Sequence, residues 1–157
     1  MKSSRSACLG ERHPFANPRL KQEQTMALTT GDKIEIQDLM GRFALAVDVN
    51  GPEAMRDLFV DDAQFIVEEM GIHLEGLDTI VEWITENAAV FPPGLTHVQS
   101  NFVIDGNNDT AELSCVSQAI QNHDGEIKHF VVGRYFETLV KTAQGWRLKT
   151  HKLQVQA

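Results

Sequence analysis

The chain contains 157 residues, of which 42% are hydrophobic and 23% are charged, and its formal net charge is −8. These proportions are typical of one globular domain that is long enough to bury a core. The charge is uneven, because residues 1–30 carry a net charge of +3 and residues 31–157 carry −11. This acidic body argues against nucleic acid as a partner. No run approaches the ~18 apolar residues of a membrane span, and the basic residues near the N-terminus are too sparse to anchor a membrane surface.

The chain has two cysteines, Cys8 and Cys115. A structural disulfide between them is not expected, because Cys8 lies in a segment without helix or strand periodicity. Two thiols in a domain of ordinary size are typical of a reducing compartment. The N-terminus also lacks the apolar segment of a secretory signal. We therefore expect a cytoplasmic protein.

Residues 1–30 contain two prolines and scattered charges, with no regular apolar spacing. Such a segment is predicted to be a disordered or poorly packed N-terminal extension. A targeting segment is the alternative interpretation. The folded domain is then expected over residues 31–157.

Three helices are predicted in the first half of this domain. The first begins near residues 30–32, where capping residues precede apolar residues at helical spacing, and it stops at Asn50-Gly51. Pro52 opens a short second helix over residues 52–59. A third helix over residues 77–90 is ended by the sequence Phe-Pro-Pro-Gly.

Strand-like segments make up the rest of the domain. Residues 61–69 alternate between polar and apolar side chains, and residues 72–76 follow as a short partner strand. Four longer strands, separated by turns rich in Gly, Asn and Asp, are predicted over residues 95–105, 110–122, 126–142 and 146–156. This order predicts an α+β fold, in which a strongly curved, mostly antiparallel sheet wraps around the three N-terminal helices.

The stretch FALAVDVNG, residues 43–51, carries a carboxylate at the end of an apolar helix. Asp48 lies where the helix dipole disfavours an anion, and buried carboxylates are rare unless they are paired. One interpretation is an exposed residue in a capping turn. The other is a carboxylate at the mouth of an apolar cavity, which orients a catalytic base.

His97 lies near the start of the first long strand. Alternation would place it on one face with Gln99, Asn101 and Val103, so Asn101 is a candidate polar group beside it in a pocket. Imidazole is the usual general base near neutral pH, and a carboxylate on its far nitrogen would fix the tautomer. The alternative is a histidine with a purely structural hydrogen bond.

In the last predicted strand, the apolar residues shift from one face of the strand to the other. Leu148 and Leu153 fall on opposite faces of a regular strand, which predicts a β-bulge near residues 149–150. After this bulge, His151 shares the face of Leu153 and is expected to point inward. The alternative is an exposed histidine near the C-terminus.

Other chemical signals are weak. No spacing of histidines, cysteines and carboxylates resembles a metal site, so neither a metal nor another cofactor is expected. The sequence contains neither a glycine-rich phosphate loop nor a nucleophile elbow. Cys115 lies in the middle of a strand and is expected to pack in the core.

Four segments together resemble the SnoaL-like branch of the nuclear-transport-factor-2-like superfamily, over residues 31–156. They are AVDVNGPEAMRDLFVDDAQF, GIHLEG before the third helix, THVQSN, and GRYFETLVKTAQGWRLK. The resemblance implies that the α+β domain is a cone-shaped barrel. Relatives in this group include scytalone dehydratase, bile acid dehydratase, hexachlorocyclohexane dehydrochlorinase and polyketide cyclases.

The resemblance also implies roles for particular residues. In the dehydratase and dehydrochlorinase members, an aspartate after the first helix pairs with a histidine at the start of the strand after the third helix. These positions match Asp48 and His97, which are therefore the expected catalytic residues. Several members carry a tyrosine where this chain has Phe43, and the dehydrochlorinase carries an arginine where His151 lies. Phe43, His151 and Asn101 are the expected substrate-binding residues.

The leading hypothesis is a cofactor-independent lyase or isomerase of the dehydratase type. His97, oriented by Asp48, would remove a proton from a small hydrophobic, cyclic substrate. The alternatives are a non-catalytic binding module or accessory subunit, favoured by Phe43, and a polyketide cyclase. The resemblance further implies a homodimer or higher homo-oligomer that pairs through the outer face of the sheet, where Phe130, Val132 and Phe136 are expected.

Overall fold

The computed structural model describes residues 26–88 and 93–156. Folded structure begins before the predicted domain boundary at residue 31. Ala27 pairs with Asn107 as a β-bridge, and Leu28 packs against the core. The domain therefore starts a few residues earlier than expected, whereas residues 1–25 of the predicted extension lie outside the described part of the chain.

Helix α1 spans Thr30–Leu45 and begins with a capping box formed by Thr29 and Asp32. It continues directly into a π-helical segment, Ala46–Asn50. Gly51 ends this segment with a positive φ of 86°, which glycine adopts without strain. The predicted first helix is confirmed, but its last turn is wider than an α-helical turn, so the side chains there point in different directions from those of a regular helix.

The predicted second helix is a short 3-10 helix, Pro52–Asp57, which leads into strand β1, Phe59–Val67. As predicted, β1 has a short antiparallel partner, β2, Ile72–Glu75. Helix α2 follows over Leu77–Asn87, and the predicted helix end at Val90 lies outside the described residues. Neither helix of the described segments is long and apolar enough to cross a bilayer.

Four long strands complete the fold, each close to its predicted position. They are β3, Leu95–Gly106; β4, Thr110–His123; β5, Glu126–Thr142; and β6, Gly145–Val155. The strand order is β2-β1-β6-β5-β4-β3, with β1 and β6 parallel and the other neighbours antiparallel. The α+β prediction is thus confirmed. The sheet does not close into a barrel, however, because β2 and β3 form its two edges and do not pair with each other.

The hydrophobic core lies between the helices and the inner face of the sheet. Phe43 and Met40 of α1 are almost fully buried there, together with Leu139 of β5 and Leu148 of β6. Helix α1 contacts β3 and β6, whereas α2 contacts β1 and β2. The π-helical segment Ala46–Asn50 also contacts β3, and this contact positions the site described below.

A buried carboxylate joins the start of α1 to the last two strands. Asp32 is only 6% exposed, and it accepts hydrogen bonds from the Lys141 ammonium at 2.5 Å and from the Trp146 indole N–H at 3.1 Å. Thr29 donates to the same carboxylate from its backbone N–H and its hydroxyl. These bonds, above all the bond from Lys141, hold the pKa of Asp32 well below its usual range.

Candidate active site

The π-helical segment after α1 directs Asp48 toward β3. Its carboxylate Oδ1 lies 2.6 Å from Nδ1 of His97, and its Oδ2 accepts the backbone N–H of His97 at 2.8 Å. The Asp48 side chain is only 9% exposed. π-Helical turns of this kind occur frequently at functional sites. The predicted contact between the two residues is confirmed, and the alternative of an exposed capping aspartate is wrong.

The imidazole of His97 is oriented by this carboxylate. Because Nδ1 is held by Asp48, Nε2 is the nitrogen left to meet a ligand in the cavity that the ring lines. A carboxylate acceptor at Nδ1 favours the tautomer with the proton on that nitrogen, which leaves the lone pair on Nε2. This arrangement is suited to a general base.

A second histidine–carboxylate pair lies deeper on the inner face of the sheet. Nδ1 of His151 is 2.8 Å from Oε1 of Glu137, and the two side chains are 2% and 0% exposed. The predicted β-bulge is confirmed, because Leu148 and Thr150 pair with successive residues of β5 and leave Lys149 as the extra residue. His151 therefore points inward, as predicted, and the exposed alternative is wrong.

Burial determines the electrostatics of the second pair. It raises the pKa of Glu137, while the attraction and hydrogen bond of His151 oppose this rise. Oε2 of Glu137 has no hydrogen-bond partner among the described residues. A buried carboxylate with one oxygen unpaired is uncommon in folded proteins and calls for a physical explanation.

Aromatic rings surround His151. Its ring centroid lies 4.8 Å from that of Phe43, 4.6 Å from that of Phe65 and 4.6 Å from that of Tyr135. Such close packing on several sides restricts rotation of the imidazole. Phe43, one of the predicted substrate-binding residues, thus lies in the cavity wall and also holds His151 in place.

Asn101 does not share the face of His97. β3 carries an extra residue between Ser100 and Val103, and Asn101 adopts a positive φ of 57°. This bulge reverses the alternation, so that Ile104 is buried whereas Asn101 and Val103 are exposed. The predicted alignment is wrong, because Asn101 lines a shallow depression on the opposite face of the sheet.

Asp48, His97 and His151 line one cavity of about 430 Å³, whereas Glu137 lies behind His151 and is not part of the wall. This volume suits a small molecule, and the wall is mostly apolar. The ionisable groups among the described lining residues are those of Asp48, His97, Tyr135 and His151, with neither lysine nor arginine. The apolar lining includes Phe43, Ala46, Met55, Phe65, Val67, Trp83, Ile84 and Leu153.

Two residues of the site escaped the sequence analysis. Tyr135 and Glu137 lie on the inner face of β5 and are 4% and 2% exposed. Burial raises the pKa of Tyr135 far above its usual value, so that its hydroxyl stays protonated at neutral pH. In the structure every second residue from Gly133 to Leu139 is buried, but the sequence does not mark this face, because apolar residues occur on both faces of β5 there.

Cys115 packs in the core as predicted. Burial raises the pKa of its thiol to about 12, which makes it a poor nucleophile at neutral pH. Within residues 26–88 and 93–156, no three side chains of His, Cys, Asp or Glu cluster in a way that could hold a metal ion.

A family model for the SnoaL-like domain matches residues 29–152. The chain belongs to the SnoaL-like domain family. The resemblance noted in the sequence is thus confirmed, and with it the relation to the nuclear-transport-factor-2-like superfamily.

Solved structures from Novosphingobium aromaticivorans are similar to this SnoaL-like domain. A candidate aromatic ring hydroxylase is 29% identical with a TM-score of 0.71, and the match covers 83% of this chain and 92% of that chain. A candidate scytalone dehydratase is 26% identical with a TM-score of 0.70, covering 81% of this chain and 85% of that chain. The uncharacterized protein Rv2910c of Mycobacterium tuberculosis is 25% identical over 123 residues, which are 74% of this chain and 80% of that protein.

Proposed function

We propose that this SnoaL-like domain is a cofactor-independent lyase or isomerase that acts on a small hydrophobic, cyclic molecule. The observation that carries the proposal is the contact between Asp48 and His97 at the wall of an apolar cavity. The helix dipole disfavours a carboxylate at this place. It is explained if it fixes the tautomer of a base.

In the proposed reaction, Nε2 of His97 removes a proton from a carbon next to a carbonyl group of the substrate. The electrons of the broken C–H bond form an enolate. In a lyase, the enolate electrons form a C=C bond as the C–O bond on the next carbon breaks, and the oxygen leaves as water with the proton that His97 removed. In an isomerase, His97 returns the proton to another carbon. His151 lies on the wall of the same cavity and is proposed to bind the substrate oxygen.

The relatives support a reaction of this kind. The candidate scytalone dehydratase is 26% identical to this chain over most of both proteins. The cavity lining is consistent with an uncharged substrate, because the described wall carries carboxylate-paired histidines and no cationic side chain other than histidine. A carboxylate or phosphate group would meet no lysine or arginine there.

Hydrogen exchange into a model ketone tests the proposed base. With 2-tetralone in D2O, the wild-type protein should accelerate deuterium incorporation next to the carbonyl, as followed by proton NMR. His97→Gln should lower this rate about 10²–10⁴-fold, the usual contribution of a general base. His123→Gln is the matched control, because His123 is an exposed turn residue. Exchange by His97→Gln at the wild-type rate would contradict the proposal.

A binding module or accessory subunit is the second candidate function. Phe43 favours it, because a phenyl ring in the cavity wall cannot donate a hydrogen bond to a substrate. In that case 2-tetralone would bind to the wild-type protein without any acceleration of deuterium exchange. A polyketide cyclase is a narrower form of the leading proposal, in which the same base would promote an aldol ring closure.

A further inference from the structure

The two histidines of the cavity are arranged to accept hydrogen bonds from a ligand rather than to donate them. A carboxylate holds Nδ1 of each ring, so that His97 and His151 both present the lone pair of Nε2. A substrate hydroxyl can bind to such a lone pair by donating its own proton. A carbonyl oxygen can only accept, so the oxygen of the proposed enolate needs a donor from another part of the wall.

Tyr135 carries a hydroxyl donor at this wall. It lies on the inner face of β5, lines the cavity and is only 4% exposed. Its ring packs edge-on against two neighbours, with centroid distances of 6.0 Å to Phe43 and 4.6 Å to His151. Such packing restricts rotation of the ring, so the hydroxyl is held at one point beside the cavity.

The surroundings of Tyr135 favour its neutral, hydrogen-bonding form. Burial raises its pKa, and the nearby carboxylates of Glu137 and Asp48 add to this rise. A hydrogen bond with Ser117 opposes the rise, as expected if the serine hydroxyl donates to the phenolic oxygen. In that arrangement the proton of Tyr135 remains available to a ligand. The effect of Asp48 also indicates that the phenol lies near the carboxylate that orients the base.

The inner face beside Tyr135 has more polar atoms than its neighbours satisfy. Gln99 lies directly opposite Ser117 across β3 and β4, and residues opposite each other in an antiparallel pair share a face. Both the amide nitrogen and the amide oxygen of Gln99 are buried, and neither has a hydrogen-bond partner among the described residues. Unpaired atoms of this kind are uncommon and call for an explanation such as a functional role or a bound molecule. This part of the inner face is therefore suited to a polar group that comes from a ligand.

We infer that Tyr135 donates the hydrogen bond that holds the carbonyl oxygen of the substrate, so that the substrate of this cavity is a ketone or an aldehyde. The inference rests on the proposed function, which it extends by naming the donor. As His97 removes the proton from carbon, negative charge develops on the carbonyl oxygen. The O–H bond of Tyr135 stays intact, because burial disfavours the phenolate. A donor already aimed at this oxygen stabilises the transition state more than the ground state.

A pair of matched probes tests the donor without turnover. 2-Tetralone and tetralin share a bicyclic carbon framework, but tetralin lacks the carbonyl oxygen. Isothermal titration calorimetry with the wild-type protein should give a dissociation constant about three- to tenfold lower for 2-tetralone, as one hydrogen bond predicts. Tyr135→Phe, which removes only the hydroxyl, should abolish this preference. Thr138→Val, which removes a hydroxyl from an exposed position of the same strand, should retain it. The inference fails if the wild type has no preference or if Tyr135→Phe keeps it.

The indole N–H of Trp83 is a competing donor, since this residue also lines the cavity. Trp83→Phe should keep the ratio of the two dissociation constants, even where both constants change. If Trp83→Phe or His151→Phe removes the preference and Tyr135→Phe retains it, the donor is wrongly assigned.

Deuterium exchange separates this inference from the proposed function. Tyr135→Phe should lower the exchange rate about 10²–10³-fold, the usual effect of removing one such donor, which exceeds its effect on the affinity for 2-tetralone. His97→Gln should lower the rate as well but retain the preference for the ketone. If Tyr135→Phe changes neither rate nor preference while His97→Gln stops the exchange, the inference is wrong and the base stands. If Tyr135→Phe removes the preference but the wild type gives no exchange, the donor is supported and the proposed chemistry fails.

A spectroscopic measurement on the wild-type protein excludes a merely structural effect. Tyr135 is the single tyrosine of the chain, so protein labelled with ¹³C at the tyrosine Cζ gives one NMR signal from this position. 2-Tetralone should shift this signal clearly more than tetralin does, because only the ketone offers an acceptor to the hydroxyl. Equal shifts with both probes at saturation would overturn the inference.

Discussion

The carboxylate of Asp48 binds two different groups of one residue, the imidazole Nδ1 and the backbone N–H of His97. Because both oxygens are occupied, the carboxylate can rotate little, and the side chain and backbone of His97 are fixed relative to each other. Asp48 comes from a π-helical turn and His97 from the edge strand β3. The contact therefore joins the end of α1 to the sheet as well as orienting the base.

Asp48→Asn should retain the fold but abolish the function of His97 as a general base. An amide oxygen can still accept one hydrogen bond, but the amide N–H2 group would then face Nδ1 of His97 and favour the tautomer with the proton on Nε2. That tautomer cannot accept a proton from the substrate at Nε2. We expect deuterium exchange into 2-tetralone to fall about 10²–10⁴-fold.

The control for this substitution is Asp124→Asn, because Asp124 lies in an exposed turn beside a histidine. Its exchange rate should equal that of the wild type. Thermal unfolding of both variants should be compared as well, since a large loss of stability in Asp48→Asn alone would point to a structural role for the contact.

Most of the fold could be predicted from the sequence, because the strands of the second half are separated by strong turn signals. The bulge near Lys149 was also predictable, since Leu148 and Leu153 are both apolar and cannot both face inward on a regular strand. The bulge at Asn101 gave no such signal. Val98, Phe102 and Ile104 have the spacing of one regular face, and only the structure shows that the alternation reverses between them.

Glu137, the carboxylate partner of His151, was not predicted for a related reason. In the sequence around Tyr135, aromatic residues occur on both faces of β5, because Phe136 lies on the outer face and is 41% exposed. Apolar spacing alone could not identify the inner face. Glu137 was therefore not recognised as inward-facing, although it occupies the same face as Tyr135 and Leu139.

The pH dependence of stability should reveal the buried state of Glu137. Its pKa is raised by burial above the ordinary value of 4.5. A carboxyl group with a raised pKa in the folded state favours folding when it is protonated, and this contribution is lost as the pH rises from the unfolded pKa toward the folded one. Tyr135 and Cys115, which face the same carboxyl group, stay protonated throughout this range because burial raises their pKa values too.

Glu137→Gln should therefore gain thermal stability relative to the wild type as the pH rises above about 4.5. The difference between the two melting temperatures should change by up to about 3–5 °C per pH unit, the equivalent of about 1.4 kcal/mol. Glu112→Gln, a change at an exposed position on β4, should give no such slope. Parallel melting curves for the wild type and Glu137→Gln at every pH would contradict a raised pKa.

Ionisation of Asp32 should have the opposite effect on the stability of the folded state from ionisation of Glu137. Its bonds to Lys141, Thr29 and Trp146 lower its pKa below the ordinary value of 3.8. A carboxyl group with a lowered pKa stabilises the folded state above its unfolded pKa, and this stabilisation is lost as the pH falls through the folded pKa. Asp32→Asn should lower the melting temperature at pH 7 by about 5 °C or more, since it removes the charge that joins α1 to β5 and β6.

The effect of Asp32→Asn should shrink as the pH falls below 3.8, because the carboxylate of the unfolded chain becomes protonated there while that of the folded protein is still ionised. Asp38→Asn is the control, because Asp38 forms only an exposed pair with Arg42 on the surface of α1. Such surface pairs contribute little, so the melting temperature of this control should stay close to that of the wild type. An equal shift in both variants would indicate a general charge effect.

The outer face of the sheet should mediate self-association. Val103, Ser114 and Phe136 are paired in a row across β3, β4 and β5, and Val98, Gln118 and Val132 form a second row. Val98, Val103 and Phe136 are 41%, 58% and 41% exposed, and Phe130 nearby is 51% exposed. Several exposed apolar side chains on one face of a sheet are unusual on a monomer. Phe136→Glu should convert an oligomer to a monomer at about 10 µM, because a dimer that buries about 800 Å² per partner cannot readily accommodate a charge at its centre. Multi-angle light scattering would measure the mass.

Met70→Glu, which places the same charge on an exposed residue at the cavity instead, should leave the mass of the oligomer unchanged. A wild-type mass of 17.5 kDa at this concentration would refute the prediction.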